Sequence, residues 1–302
     1  MRGMDTVITV ILPVYNREMQ LRRAIASVLR QTMPHFDCII VDDASECNVE
    51  AIVASYGDVR LRCIRREVNG GPYAARFTGM EAMRGHHALL LDSDWELYPW
   101  ALAQALHYLE TNPAVDMVRG LHVRNEDSCL FVRVRNGPRV ITPAEASREP
   151  PIPDRVVAVR RCVVDEWLEK RCDYFALEGH QFLTAQLTHN QLYVDEPWTL
   201  YYVDGGDRVT VARSVNRELD DFARFLAEHH TLISDERPSV LLDAMLKDAY
   251  FALWRRRRPE AAEARRALHA RGKSPTRALL EVTMRKIAAR LPWVRDQPTT
   301  WV

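Results

Sequence analysis

The sequence predicts an α/β fold: a mostly parallel central sheet flanked by helices, followed by an α-helical C-terminal extension. Three observations predict it. Short unbroken apolar runs rich in β-branched residues recur through the first hundred residues, segments with apolar residues at helical spacing separate them, and each run stops at a polar cluster. Unbroken rather than alternating apolar strands are typical of sheets buried on both faces. Alternation of strands with helices implies parallel neighbours, whose ligands gather beyond the carboxyl ends of the strands.

The first strand is expected over residues 7–12, stopping at Pro13. Leu21, Ala24, Ile25, Val28 and Leu29 then recur at helical spacing as far as Pro34. A second strand over 38–41 stops at Asp42-Asp43, and a helical segment through Ile52, Val53 and Tyr56 ends at Gly57. Residues 59–64 read as a third strand, 71–83 as a helix closed by Gly85, and 87–91 as a fourth strand stopping at Asp92. A helix with Leu102, Ala105, Leu106 and Leu109 leads into 117–123 and 130–134, which alternate like antiparallel strands, so the sheet becomes mixed. Residues 141–153, rich in Pro and charge, read as a loop able to cover a site. From Ser214 onward four helical patterns follow, with Gly272 as a helix stop and Ser274-Pro275 as an N-cap with proline at the first helical position. The expected boundary lies near residue 213, giving a nucleotide-binding catalytic domain over 1–213 and a helical extension over 214–302.

Composition narrows the function class. The 302 residues are 47% hydrophobic and 27% charged, which suits a globular protein large enough to be an enzyme. Lys plus Arg (41) equals Asp plus Glu (41), so there is no global positive field and no nucleic-acid partner is expected. Six cysteines show neither C-x-x-C pairing nor zinc-finger spacing, as in a reducing, cytoplasmic setting. The first apolar run is too short for a signal-peptide core, and no stretch approaches the roughly 20 apolar residues that span a bilayer.

Four clusters fall at strand ends: Pro13-Val14-Tyr15-Asn16-Arg17, Asp42-Asp43-Ala44-Ser45, Asn69-Gly70-Gly71-Pro72 with Arg76, and Asp92-Ser93-Asp94. Two strands ending in paired carboxylates within one sheet are hard to explain by packing, because desolvated like charges are costly unless something cationic sits between them. Asp92-Ser93-Asp94 reads as a hard-metal site for magnesium or manganese completed by substrate phosphates, or as a turn in which the aspartates bond nearby amides. Asp42-Asp43 reads as an acceptor for a nucleobase or ribose, or as an N-cap of the next helix. Gly70-Gly71 permits close backbone approach, and Arg76 one turn later could reach a base carbonyl or a phosphate; the alternative is a plain loop and a surface arginine.

In this order and spacing the clusters resemble the family 2 glycosyltransferases, of GT-A fold. The likeness covers about residues 7 to 210 and is carried by Val10-Ile11-Leu12-Pro13-Val14-Tyr15-Asn16, Ile40-Val41-Asp42-Asp43-Ala44-Ser45, Asn69-Gly70-Gly71 with Ala75-Arg76, and Leu91-Asp92-Ser93-Asp94. The resemblance implies a nucleotide-sugar donor, UDP-linked by preference, with Pro13, Tyr15 and Asp43 around the base, Arg76 nearby, Asp92 near the ribose or donor sugar, and Asp94 on Mn2+ or Mg2+; Asn16, Asp42, Gly71 and Ser93 complete the nucleotide-sugar-binding set. It implies inversion, for which a general base must take the acceptor proton while the metal neutralises the departing diphosphate. The base is expected at Leu177-Glu178-Gly179-His180, with Glu178 the candidate, His180 in reserve and Asp173 more distant. Relatives often carry Glu-Asp where this chain has Glu178-Gly179. They also often have a metal-binding histidine where Asp204 stands, and an aspartate is likewise an oxygen ligand. The acceptor would be a saccharide, a lipid-linked sugar or a small molecule, in polysaccharide, glycolipid or secondary-metabolite glycosylation.

Two rivals remain. A sugar-nucleotide-forming nucleotidyltransferase would normally open with a glycine-rich basic loop after the first strand, where this chain has Pro13-Val14-Tyr15-Asn16. A non-catalytic nucleotide-sugar-binding protein would keep the site without turnover, and the Gly179 departure keeps that reading open. In the C-terminal region Trp254 precedes Arg255-Arg256-Arg257-Arg258, and Arg285, Lys286 and Arg290 lie beside Leu279, Leu280, Ile287 and Leu291. Basic amphipathic helices of this kind either rest on anionic lipid, placing the enzyme at the inner face of the membrane, or pack on the catalytic domain with solvated arginines.

Overall fold

The computed structural model describes residues 8–126, 129–130, 138–146, 155–171, 185, 188–202, 215–228 and 240–288. The chain divides into two compact units, one made of Met1–Pro143, Ile152–Gln181 and Thr188–Arg208, the other of Ala144–Pro151, Phe182–Leu187 and Val209–Val302. Two short earlier segments thus join the C-terminal part in the second unit.

The first unit is built on one ten-stranded sheet. In chain order its strands are β1 (Ile8–Val14), β2 (Phe36–Asp42), β3 (Leu61–Arg65), β4 (His87–Leu90), β5 (Trp95–Leu97), β6 (Met117–Glu126), β7 (Cys129–Leu130), β8 (Arg139–Ile141), β9 (Arg155–Arg160) and β10 (Gln191–Tyr202). Their spatial order is β3-β2-β1-β4-β9-β6-β10-β5, with β7 on β6 and β8 on β10. The pairs β3/β2, β2/β1 and β1/β4 are parallel. From β9 onward the sheet is mixed: β9 runs antiparallel to β4 and β6, β6 parallel to β10, and β10 antiparallel to β5.

All seven residues of β1 and of β2 are buried, as their unbroken apolar runs require. Strand β1 does not stop at Pro13 but runs on to Val14. The Ile11 carbonyl accepts from Leu91 N, so alternate residues of β1 face β4, Pro13 among them, and β4 pairing ends at Leu90. The missing N–H of Pro13 therefore faces a side with no partner strand. Helices α1 (Glu18–Leu29), α2 (Val49–Ala54), α3 (Gly71–Glu81) and α4 (Ala101–Thr111) follow β1, β2, β3 and β5, and shorter helices α5 (Pro143–Ala146) and α6 (Arg161–Glu169) come later. Leu21, Ala24, Ile25 and Val28 of α1 and Leu102, Ala105 and Leu109 of α4 are fully buried in a core shared with Val10, Leu12, Ile40, Leu89 and Val194.

Polar side chains tie these elements together. Ser27 Oγ accepts from Leu97 N at 2.9 Å and Gln31 Oε1 from Leu102 N at 3.0 Å, which fastens α1 to β5 and α4. His189 bridges two carboxylates, its Nδ1 at 3.0 Å from Asp116 and its Nε2 at 2.6 Å from Glu166 of α6. Burial pushes the Glu166 carboxyl up, but hydrogen bonds from Lys170 and His189 outweigh it and hold the group below the ordinary carboxylate range. Trp198, fully buried, donates to Gln104 Oε1 at 2.9 Å.

The second unit contains, among the described residues, helices α7 (Val215–Glu228), α8 (Val240–Arg255), α9 (Ala261–Ala270) and α10 (Pro275–Ala288). Phe225, Leu226, Leu242, Leu246, Leu253, Ala264, Leu268 and Val282 are buried in it. Gly272 sits at φ +65° and the Leu268 carbonyl accepts from Lys273 N, a left-handed stop for α9. Pro275 opens α10, with Ser274 Oγ accepting from Arg277 N at 3.3 Å. Asp243 of α8 takes Arg271 at 2.6 Å and Lys273 at 2.9 Å. No described helix is long and apolar enough to cross a membrane.

Two outcomes follow for stability. A Cβ at Gly120 would stand 2.1 Å from Trp198 Cδ2, so Gly120→Ala overpacks β6 against β10 and should cost about 1–3 kcal/mol in urea melts; an unchanged midpoint would mean that the two strands part freely. Because the Glu166 pKa is depressed in the fold, its stabilisation is present above the unfolded value of about 4.3 and is lost as pH falls through the folded one. Glu166→Gln should thus melt below wild type at pH 7, and the gap should close on acidification; a gap constant with pH would contradict this.

Candidate functional site

Beyond the carboxyl ends of β1, β2 and β4 lie three loops, and the N-terminus of α3 joins them. The loop after β1 carries Tyr15, 38% exposed, and Asn16, at φ +52°. The loop after β2 carries Asp43, 3% exposed, and Ala44, at φ +65°. The left-handed region suits asparagine but strains alanine, a cost of order 1 kcal/mol that the surrounding bonds sustain.

Four sets of contacts link these segments into a closed ring. The β1 loop binds the β2 loop: Asn16 N donates to Ser45 Oγ at 3.0 Å and Asn16 Oδ1 accepts from Glu46 N at 2.7 Å. The β2 loop binds α3: Asp43 accepts from Gly70 N at 3.1 Å and from Gly71 N at 2.7 Å. An anion at a helix N-terminus is favoured by the free amides and the dipole, and Gly71, at φ +85°, supplies the turn that aims them. Helix α3 binds the β4 loop: Arg76 Nη2 donates to Asp92 Oδ1 at 2.6 Å. The β4 loop returns to the β1 loop: Arg17 Nη1 donates to Asp94 Oδ2 at 2.7 Å.

Each of the four aspartates is paired with its own arginine. Asp42 pairs with Arg65, Asp43 with Arg66, Asp92 with Arg76 and Asp94 with Arg17. Burial and the Asp92 charge push the Asp94 carboxyl above its ordinary range, and Arg17 offsets this only in part. Among the described residues no group of three or more His, Cys, Asp or Glu side chains is arranged to hold a metal ion.

The structure revises three expectations drawn from sequence. Asp42, 1% exposed, does not face outward toward a base: Oδ1 accepts from Ser45 N at 2.8 Å and Oδ2 from Arg65, so its carboxylate is used within the protein. The aspartate pair does not cap α2, whose N-cap is Asn48, accepting from Ala51 N at 3.0 Å; Asp43 instead sits at the N-terminus of α3. Arg76 is not a surface arginine but is 5% exposed and turned to Asp92. Pro13 and Ser93 are buried beside these groups. Glu178, His180, Asp173 and Asp204 lie outside the described residues.

Sequence reasoning placed Arg17 and Ser45 in the strand-end clusters without giving them a role, and it did not reach Arg65 or Arg66. The signal was present, since clustered carboxylates demand nearby cations, but nothing in the spacing tells which arginine serves which aspartate. It also missed an aromatic group next to Asp94: Trp95 lies 4.3 Å from the His122 ring and His122 5.5 Å from Tyr201, centroid to centroid, with His122 Nδ1 2.9 Å from Thr199 Oγ1.

Comparison with known proteins bears on the family and the fold. The sequence profile of Glycosyl transferase family 2 matches residues 9–159. An uncharacterized glycosyltransferase of Rickettsia conorii is 34% identical over 134 residues, which are 44% of this chain and 22% of that protein. The Escherichia coli enzyme WfgD, a UDP-Glc:alpha-D-GlcNAc-diphosphoundecaprenol beta-1,3-glucosyltransferase, is 32% identical over 90 residues, 30% of this chain and 36% of that one. The chain thus spans well under half the length of these curated relatives. The crystal structure of S. aureus TarS 1-349 in complex with UDP-GlcNAc superposes with a TM-score of 0.63 at 17% identity, covering 87% of this chain and 79% of that one, a likeness of fold.

Asp43→Asn tests the ring directly. It keeps the shape but loses the charge that faces Arg66 and the α3 amides, and should cost roughly 3–5 kcal/mol in chemical melts, as for breaking a buried ion pair from one side. A loss under about 0.5 kcal/mol would show that the loops hold without it.

Proposed function

The chain belongs to glycosyl transferase family 2, and from that membership we propose that it moves a sugar from a nucleoside-diphosphate donor to an acceptor hydroxyl, with inversion and with a divalent metal. The observation that carries the reading is the pair of part-exposed carboxylates, Asp92 and Asp94, whose side chains are 31% and 22% exposed beyond the carboxyl end of β4. Carboxylate oxygens suit a hard cation such as Mn2+ or Mg2+, so the residues fit the metal that the family commonly uses. Asp94 would hold it, with Asp204 as a second oxygen ligand. When bound, the metal supplies charge neutralisation to the departing diphosphate.

The chain's own residues do the rest. Tyr15 offers an exposed ring face to the nucleobase, bordered by Pro13, while Asn16, Asp42, Asp43 and Gly71 fix the loops that receive it. Arg76 holds Asp92 toward the ribose or donor sugar, with buried Ser93 beside it. Glu178 takes the acceptor proton, with His180 as the alternative base. The half-buried rings of Trp95 and Tyr201 give an apolar face for the acceptor sugar. A UDP-linked donor is favoured by the UDP-GlcNAc bound to TarS, and a lipid-linked acceptor by the undecaprenol-linked substrate of WfgD. Trp254, 52% exposed, followed by exposed Arg255, Arg256 and Arg257, supports contact with an anionic lipid surface.

A thermal-shift series with UDP, GDP, dTDP and CDP, with and without Mn2+, tests the donor. UDP with Mn2+ should give the largest rise in Tm, and Asp94→Asn should lose the metal-dependent part of it. A chain indifferent to all four nucleotides would defeat the proposal. In a donor-turnover assay Glu178→Gln should lower kcat by about 10²–10⁴-fold. A full rate in that variant passes the role to His180, and pyrophosphate release from a nucleoside triphosphate and sugar phosphate would favour donor synthesis instead.

A further inference from the structure

Helix α8 ends in a turn where glycine is favoured and an arginine stands. Arg257 sits at φ +55°, with Arg257 N donating to the Trp254 carbonyl at 3.0 Å and Arg258 N to the Leu253 carbonyl at 2.9 Å. The same hydrogen-bond pattern closes α9, where Gly272 N donates to the His269 carbonyl at 2.9 Å and Lys273 N to the Leu268 carbonyl at 2.8 Å, with Gly272 at φ +65°. Two equivalent stops in one unit thus differ at their left-handed position, and only the arginine carries the steric cost of that conformation. The α8 stop keeps a side chain that its own geometry disfavours, and strain of this kind points to a use for the side chain.

The residues around the turn share one chemistry. Phe251 and Leu253 are buried, whereas Trp254 is 52% exposed and Arg255, Arg256 and Arg257 are exposed. Arg258 is set apart, since Asp220 holds it at 3.0 Å and Glu260 at 3.1 Å. Among the described residues no carboxylate pairs with Arg255, Arg256 or Arg257. We propose that this turn is a lipid-phosphate contact in which the three arginines meet the phosphates of an anionic membrane and Trp254 enters the headgroup layer, and that Arg257 is kept in its strained conformation for that contact. The proposal rests on the lipid-surface reading above and deepens it to a residue that the fold alone disfavours. An indole among guanidiniums suits a bilayer interface, where the ring lies at headgroup level and the charges meet phosphate. A nucleic acid would be met by a longer basic stripe, and this chain's Lys plus Arg (41) only balance its Asp plus Glu (41).

The test is co-sedimentation of the full chain with vesicles of phosphatidylcholine, with and without phosphatidylglycerol, for wild type, Arg257→Gly, Arg257→Lys and Trp254→Ala, beside a thermal melt of each. Wild type should favour the anionic vesicles and release them as salt rises. Arg257→Gly should bind them about fivefold more weakly, the effect of one basic side chain, while its Tm rises as the strain is relieved. Arg257→Lys should keep most of the binding with no gain in Tm, and Trp254→Ala should bind more weakly than wild type. If Arg257→Gly binds the vesicles as wild type does, the side chain has no lipid role and the proposal is overturned; an unchanged or lower Tm removes the strain from which it starts. Equal affinity for a DNA duplex, or displacement by inorganic phosphate, would make the turn a general anion site and overturns it as well. If wild type ignores both kinds of vesicle yet keeps the Mn2+-dependent UDP shift, the lipid contact fails and the donor reading stands; vesicle binding without any UDP response gives the reverse.

Discussion

The fold's functional end depends on one electrostatic constraint: four aspartates are gathered at the ends of β2 and β4, the two strands that flank β1, and each must be neutralised locally. Parallel strands buried on both faces converge their carboxyl ends, and this sheet's turns bring Asp42, Asp43, Asp92 and Asp94 there in largely desolvated surroundings. Unpaired, such groups would lose far more to desolvation than the loops could recover. One arginine per aspartate resolves this, and because the arginines come from three places in the chain, Arg17, the adjacent Arg65 and Arg66, and Arg76, neutralising the charges also ties separate segments together.

The pairing divides labour. The Asp42 and Asp43 carboxylates are nearly inaccessible and are occupied by backbone amides as well as by arginines, so they build the platform. Asp92 and Asp94 keep more exposure and fewer partners, and Asp94 retains the raised proton affinity of a group not fully compensated. A site able to take a cation and its anionic companion needs both kinds: rigid carboxylates that hold the walls, and poorly satisfied ones that still gain from a ligand.

The first four strands and the helices between them were legible because fully buried strands and amphipathic helices leave strong local patterns. Their ends were less so: β1 passes through Pro13 because its neighbour β4 stops short, a fact about another segment that no local rule carries. Strands β5, β8, β9 and β10 went unread, and β8 ends at Ile141, where a loop was expected to begin. Strand β5 is three residues long, and β10 contains Pro197, which ordinarily argues against an interior strand; here the register of β10 against β6 shifts on either side of that proline, and the irregularity absorbs it. In the site, the acidic clusters identified the place, whereas the identity of each arginine partner was set by three-dimensional approach between residues as far apart as Arg17 and Asp94.

The circular arrangement of the loops carries a consequence for anyone reshaping specificity. A segment grafted from a homologue at one strand end would arrive without the arginine that its own aspartate expects, and would leave a native arginine facing nothing. The exchangeable module is therefore the whole quartet of junctions taken from a single parent, and chimeras cut anywhere inside it inherit mismatched charges from both.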